Sequence, residues 1–190
     1  MGYVVFHLIA FYIVHSLLAT AKLKKIAKQE WPSIFKYYRL LYNFLSILWL
    51  TFIVKLCVYE WGLSEPIYKS HWVLGLVLLG MGFLNVFGSL MQIDIKSFIG
   101  IRSDDENNPP ILTQNGLYGL VRHPLYLGVI LSLIGLLALH FSQFTLSLVI
   151  ITIVYILIGI ELEEKKLTVE FGKDYVLYQQ KIKKLIPFIY

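Results

Sequence analysis

The chain has 190 residues, of which 57% are hydrophobic and 15% charged, and a mean hydropathy of +0.68. That is too apolar for an ordinary water-soluble domain and places the chain in a lipid bilayer. The formal net charge of +5 calls for no nucleic acid, because membrane orientation and contact with anionic lipid account for it, and the single cysteine, Cys57, excludes an internal disulfide and any paired-thiol motif.

Five stretches are apolar for long enough to cross, or nearly cross, about 30 Å of hydrocarbon at about 1.5 Å per residue. They are Gly2–Ala21, Leu40–Tyr59, Trp72–Met91, Tyr126–Phe141 and Phe144–Ile160. Their continuity predicts helices, since only helices or closed barrels satisfy their own backbone in lipid. The fold class is therefore all-α, a polytopic membrane protein forming a single domain over residues 1–190. The first stretch has no basic leader or small-residue cleavage site and reads as a retained span. In the third, Gly80 and Gly82 lack the third glycine of a dinucleotide fingerprint and read as close helix packing. The last two spans are the shortest; separated only by Ser142 and Gln143, they predict a tight helical hairpin. Beyond them, Leu162–Phe188 mixes Leu167, Val169, Phe171, Tyr175, Tyr178 and Ile182 with lysines. This predicts a broken amphipathic helix against the headgroups, with Gly172 ending its first piece.

The cations give the orientation. Lys22, Lys24, Lys25, Lys28, Lys36 and Arg39 lie between spans one and two, Lys96, Arg102 and Arg122 between three and four, and Lys165, Lys166, Lys173, Lys181, Lys183 and Lys184 after five. Lys69 and Lys55 alone fall toward the other side. The positive-inside rule then puts the N-terminus outside and the C-terminus in the cytoplasm. The five histidines, His7, His15, His71, His123 and His140, show neither HxxxH nor HExxH spacing, so no metal site is expected. Polar groups inside spans, His15, Ser16, Asn43, Asn85 and Gln92, are costly in lipid; they either face a substrate path or hydrogen-bond helix to helix.

The connection from Gln92 to His123 exceeds the ~12–15 residues beyond which a structureless loop is unusual. Its middle, RSDDENNPPIL, cannot continue the third helix, and Asn115-Gly116 is a turn signal. In GLVRHPLYLG, Pro124 fits the first turn of helix four. Arg122 and His123 would then stand beside the free N–H groups and positive dipole end of that helix, a seat for an anionic group, with Tyr126 in the first turn and Gly128 permitting close approach. Arg122 as a topology anchor and Tyr126 as part of the aromatic belt is the competing reading.

Glu161, Glu163 and Glu164 stand near the cytoplasmic end of helix five, where dipole complementarity would not put carboxylates. The 4–5 hairpin brings them to the same membrane face as the Arg-His-Pro corner. The expected site is bipolar, with cations and a helix start on one wall and carboxylates on the other, suited to a zwitterionic ligand carrying hydroxyl groups. Surface pairing of the glutamates with Lys165, Lys166 or Arg122 is the bland alternative.

These residues carry a resemblance. RHPLYLG at Arg122 to Gly128, the pair Glu163–Glu164 and FGKDYVLYQQKIKKLIP from Phe171 to Pro187 are similar to the integral-membrane methyltransferases that include isoprenylcysteine carboxyl methyltransferase and the phospholipid methyltransferases. HSLLAT at His15 to Thr20, YYRLLYN at Tyr37 to Asn43 and DIKSFIGIR at Asp94 to Arg102 look like the bacterial methanethiol S-methyltransferase and NnrU-like branch. The resemblance implies S-adenosylmethionine as cofactor, held by residues 92–190 and facing the cytoplasm of a bacterial inner membrane, and a small or lipophilic acceptor, leaning to a thiol. It implies Arg122 and His123 as catalytic and Tyr118, Arg122, His123, Pro124, Tyr126, Glu163, Glu164, Tyr175 and Tyr178 as cofactor-binding. His15, Asn43, Asn85 and Gln92 are substrate-path candidates. Prenylcysteine or phospholipid methylation, a nicotinamide-dependent sterol-type reductase of related fold and a non-catalytic membrane protein remain the rival expectations.

Overall fold

The computed structural model describes residues 2–63, 71–99, 101, 111–187 and 189–190. Lys69, Arg102 and the acidic, proline-containing run 102–110, on which sequence expectations were placed, lie outside the described residues. The helices are α1 (Gly2–Ala19), α2 (Ala21–Glu30), α3 (Tyr38–Leu63), α4 (Trp72–Leu90), α5 (Ile95–Ile99), α6 (Pro124–Leu139), α7 (Gln143–Phe171) and α8 (Lys173–Lys181), with 3-10 turns at Phe35–Tyr37 and Gly116–Gly119. No ladder of strands occurs among the described residues; Val121 and Lys183 make one isolated parallel bridge. The chain is thus an all-α integral membrane protein.

Four helices, α1, α3, α4 and α7, are long and apolar enough to cross a membrane, while α6 has 16 residues. The expectation of five spans therefore needs two adjustments. The fourth stretch is a shorter apolar helix, and the fifth does not stop at Ile160 but runs 29 residues to Phe171. Because α7 continues past the apolar run, the glutamates sit inside a helix and not at its unfavourable C-terminal end. Gly172 (φ +55°) ends it, as its freedom from a Cβ allows. The hairpin between α6 and α7 is as tight as expected: Ser142 caps α7 by accepting from the Thr145 N–H at 3.1 Å. The cation-rich segment after α1 is itself a short helix, α2, which Thr20 caps through the Leu23 N–H.

The helices group into two units, α1, α2, α3 and α5 in one and α4, α6, α7 and α8 in the other. In the first, α3 side chains hold α5: an Arg39 Nη1 donates to the Ser97 carbonyl (2.8 Å) and Asn43 Nδ2 to the Ile99 carbonyl (3.0 Å). The last carbonyls of a helix lack intrahelical donors, and α3 supplies donors to two of those on α5. The second unit is built on an antiparallel contact of α4 with α6, where small residues let the backbones meet. A Cβ on Gly82 would lie 2.6 Å from the Gly128 carbonyl, and one on Gly135 2.8 Å from the Gly75 carbonyl. Gly80 has open space beside it, so of the two glycines only Gly82 serves packing. Ile156, Ile160 and Leu185 form a buried cluster covered by Tyr126, Leu127, Val129, Ile130 and Leu133, joining α7, the C-terminal segment and α6.

Candidate functional site

The corner ahead of α6 forms because the chain is stopped and turned there twice. Gly116 takes a positive φ of 59° and opens the 3-10 turn carrying Tyr118. Gln92, at the end of α4, pins that turn: its Oε1 accepts from the Leu117 N–H at 2.9 Å while its Nε2 donates to the Gly88 carbonyl at 2.9 Å. Pro124 then starts α6 at its first position, and His123 is its N-cap residue. The C-terminal segment fixes the backbone between the two: the N–H groups of Arg122 and His123 donate to the carbonyls of Lys183 (2.8 Å) and Lys184 (3.1 Å).

Into this corner α7 delivers Glu164. Its Oε1 accepts from Arg122 Nε (2.7 Å), His123 Nε2 (3.0 Å) and Tyr175 Oη (3.2 Å), and its Oε2 from Arg122 Nη2 (3.0 Å) and Gln179 Nε2 (2.8 Å). Five donors meet the roughly four lone-pair directions of a carboxylate, so Glu164 has no capacity left for a ligand. Arg122 is nearly as fully used: its Nη1 also donates to the carbonyls of Gln179 (3.2 Å) and Ile182. The two side chains are only 8% and 9% exposed, and the bidentate pair keeps Glu164 ionised. Burial alone would lower the basicity of Arg122, but the bonded Glu164 carboxylate outweighs it and raises it.

This changes the expected geometry. Cations and carboxylate do not face each other across a ligand; Arg122 and Glu164 are in contact, and the negative charge beside the start of α6 is the chain's own. A second group of side chains lies on the other side of His123. Its Nδ1 lies 3.9 Å from Glu163 Oε2, beyond hydrogen-bond reach, and that carboxylate oxygen is buried without a hydrogen-bond partner, although the Glu163 side chain as a whole is 39% exposed. Tyr126 tilts its ring against His123 at 5.8 Å between centroids. Tyr118 belongs to the same group: burial, reinforced by the charge of Glu163, pushes its hydroxyl up to about 12.

The remaining candidates divide. Tyr175 and Tyr178 are buried on α8. Tyr175 reaches Glu164, and Tyr178 Oη donates to the Tyr118 carbonyl at 2.5 Å. Burial raises both hydroxyls, so both stay neutral donors. Glu161, expected to share the face of Glu164, is exposed and pairs with Lys184 at 2.5 Å. The substrate-path candidates all have structural bonds. His15 Nδ1 donates to Ser46 Oγ (2.9 Å), whose own proton goes to the Tyr42 carbonyl (2.7 Å). Asn43 caps α5, Asn85 Oδ1 lies 3.5 Å from Ser89 Oγ, which donates to the Asn85 backbone carbonyl (2.6 Å), and Gln92 pins the turn of Tyr118. An apolar cavity of about 380 Å³ lies at the far end of α6, and its described lining, His71, Ile134, Leu137, Ala138 and Phe141, includes no carboxylate.

Sequence reasoning missed Gln179. It donates to Glu164 through its side chain and accepts from Arg122 through its backbone. The signal was present, since Gln179 follows Tyr175 by four residues and so shares its helix face.

Residues 70–174, more than half of the chain, match the model of the phospholipid methyltransferase family. The chain is 27% identical to Methanethiol S-methyltransferase 2 of Bradyrhizobium diazoefficiens over 95% of its own length and 70% of that protein's. It is 34% identical to Methanethiol S-methyltransferase 1 of the same species over 56% of this chain and 39% of that one. With Methanethiol S-methyltransferase of Crocosphaera subtropica it shares 31% identity over 59% of this chain and 46% of that one. No solved structure matches.

Proposed function

The chain belongs to the phospholipid methyltransferase family, a family of membrane methyltransferases, and from that premise we propose that it methylates a small thiol, with S-adenosylmethionine as the methyl donor. Residues 1–190 act as one membrane domain of a bacterial inner membrane, with the donor held by residues 92–190 on the cytoplasmic side. The observation that carries this reading is the buried, unpaired Glu163 Oε2 beside His123. A buried carboxylate oxygen without a donor is costly, and a cationic ligand bearing an ammonium group and ribose hydroxyls supplies what it lacks. Tyr118 and Tyr126 offer hydroxyls and ring faces beside the Glu163 carboxylate, and the N–H groups at the start of α6 suit a ligand carboxylate. The residues present therefore fit the donor.

When bound, the donor supplies an electrophilic methyl group on a sulfonium. The protein's part is alignment and exclusion of water. Arg122, Glu164, Gln179 and Tyr175 do this indirectly, by locking α8 and the C-terminal segment over the corner, while Glu163, His123, Tyr118 and Tyr126 meet the ligand. The names of the relatives support a thiol acceptor.

Calorimetric titration of purified protein with S-adenosylmethionine tests the reading. Binding is expected for the wild type and weaker by about tenfold or more for Glu163→Ala, the loss of a hydrogen bond to a charged group. Transfer of labelled methyl to methanethiol but not to phosphatidylethanolamine separates the thiol from the phospholipid acceptor. Absence of donor binding by the wild type overturns the assignment.

A further inference from the structure

His123 is held in a way that fixes which of its two ring nitrogens carries a proton. Glu164 is an ionised acceptor, saturated by donors, so the 3.0 Å contact from His123 Nε2 requires an N–H on that nitrogen. In the neutral ring the lone pair is then on Nδ1. That nitrogen makes no hydrogen bond and faces Glu163 Oε2 at 3.9 Å, an oxygen that also lacks a donor. In that tautomer Nδ1 and Glu163 Oε2, 3.9 Å apart, are two acceptors with no proton between them. The arrangement is complementary to the ring after it gains a proton, when an imidazolium would lie between Glu164 on one side and Glu163 on the other.

We propose that His123 is the general base of thiol methylation, taking the acceptor's S–H proton on Nδ1, with Glu164 fixing its tautomer and Glu163 stabilising the imidazolium. The inference rests on the thiol-methyltransferase reading above and assigns a role within it. In this step the S–H bond breaks, the N–H bond forms at Nδ1, and the sulfur keeps the bonding pair as a thiolate, the nucleophilic form of the acceptor. The proton returns to solvent once the thioether has left. Arg122, which shares Glu164 with His123, cannot take this role, because a guanidinium holds its proton throughout.

Two measurements test it. At saturating S-adenosylmethionine, His123→Gln should lower turnover of an alkyl thiol, protonated at neutral pH, by about 100-fold or more. Turnover of an aryl thiol, already ionised, should fall less than about tenfold. Equal losses on both thiols would overturn the base assignment and leave His123 a positioning residue. The second measurement needs no turnover and no donor: nitrogen-15 spectra of histidine-labelled wild-type protein, with the His123 signals identified by their loss in His123→Gln. The ring should carry its proton on Nε2 alone, then become doubly protonated when an alkyl thiol is added. A ring protonated on Nδ1 from the start, or unchanged by thiol, sinks the proposal. Wild-type protein that binds donor but methylates neither thiol refutes the thiol reading itself, and this inference with it.

Discussion

Arg122 and Glu164 look at first like two ligand-binding residues of opposite charge, and their geometry says otherwise. Each has nearly exhausted its bonding capacity on the protein: Glu164 on Arg122, His123, Tyr175 and Gln179, and Arg122 on Glu164 and two α8-side carbonyls. A charged pair this buried is expensive to form and more expensive to break. Arg122→Met or Glu164→Leu alone should each cost on the order of 3–5 kcal/mol, because the surviving charge stays buried and uncompensated. The double variant should cost clearly less than the sum, since it removes the orphan along with the pair. Equilibrium unfolding in detergent of the two single variants and the double measures this coupling; additive effects would mean that the pair is not the clamp described. The sequence identified both residues but not this relation. Spacing on α7 shows which carboxylates share a face, yet whether the inward one meets a ligand or an arginine forty-two positions away is settled by packing.

At the scale of elements, α6 is positioned by backbone contact. Gly82, Gly128 and Gly135 sit where a single added carbon would collide with an opposing carbonyl or amide. Such a contact cannot be relieved by a rotamer change, so the helices must separate. Since His123 caps the N-terminus of α6, separation should displace the corner as well as loosen the fold. Gly82→Ala is therefore expected to lose about 1–3 kcal/mol, read as a lower unfolding midpoint in detergent. Gly80→Ala, two residues away in open space, should stay within about 0.5 kcal/mol of the parent. Equal behaviour of the two would remove the close contact from the account. The apolar helices were legible because a continuous apolar run reports helix in lipid whatever surrounds it. Two features were not. The α2 segment shows only its cations to a hydropathy reading, although Thr20 was available as its cap. The bridge that ties Val121 to Lys183 depends on a pairing across some sixty residues, which no local pattern encodes.

The whole molecule is turned inside out relative to a soluble domain. Phe6, Ile47, Phe83 and Leu84 are more than 60% exposed, as side chains facing lipid must be, while many of the described charged groups lie at the Arg122–Glu164 corner, on α2 and along the C-terminal segment. Fifteen of the seventeen lysines and arginines fall on one side in the five-stretch reading, the side that also holds Arg122. The positive-inside bias then predicts that α8 faces the cytoplasm, where a soluble methyl donor is available, and that the start of α1 faces the opposite compartment. Cys57 is the chain's one thiol, so Cys57→Ala gives a background without cysteine. Gln180→Cys, at an exposed position of α8, should escape a membrane-impermeant maleimide in intact cells and react once the membrane is permeabilised. Gly2→Cys, which has open space around it, should react in both. The reverse pattern would put the Arg122–Glu164 corner on the outer face, out of reach of a cytoplasmic donor, and would leave the corner's chemistry without the ligand proposed for it.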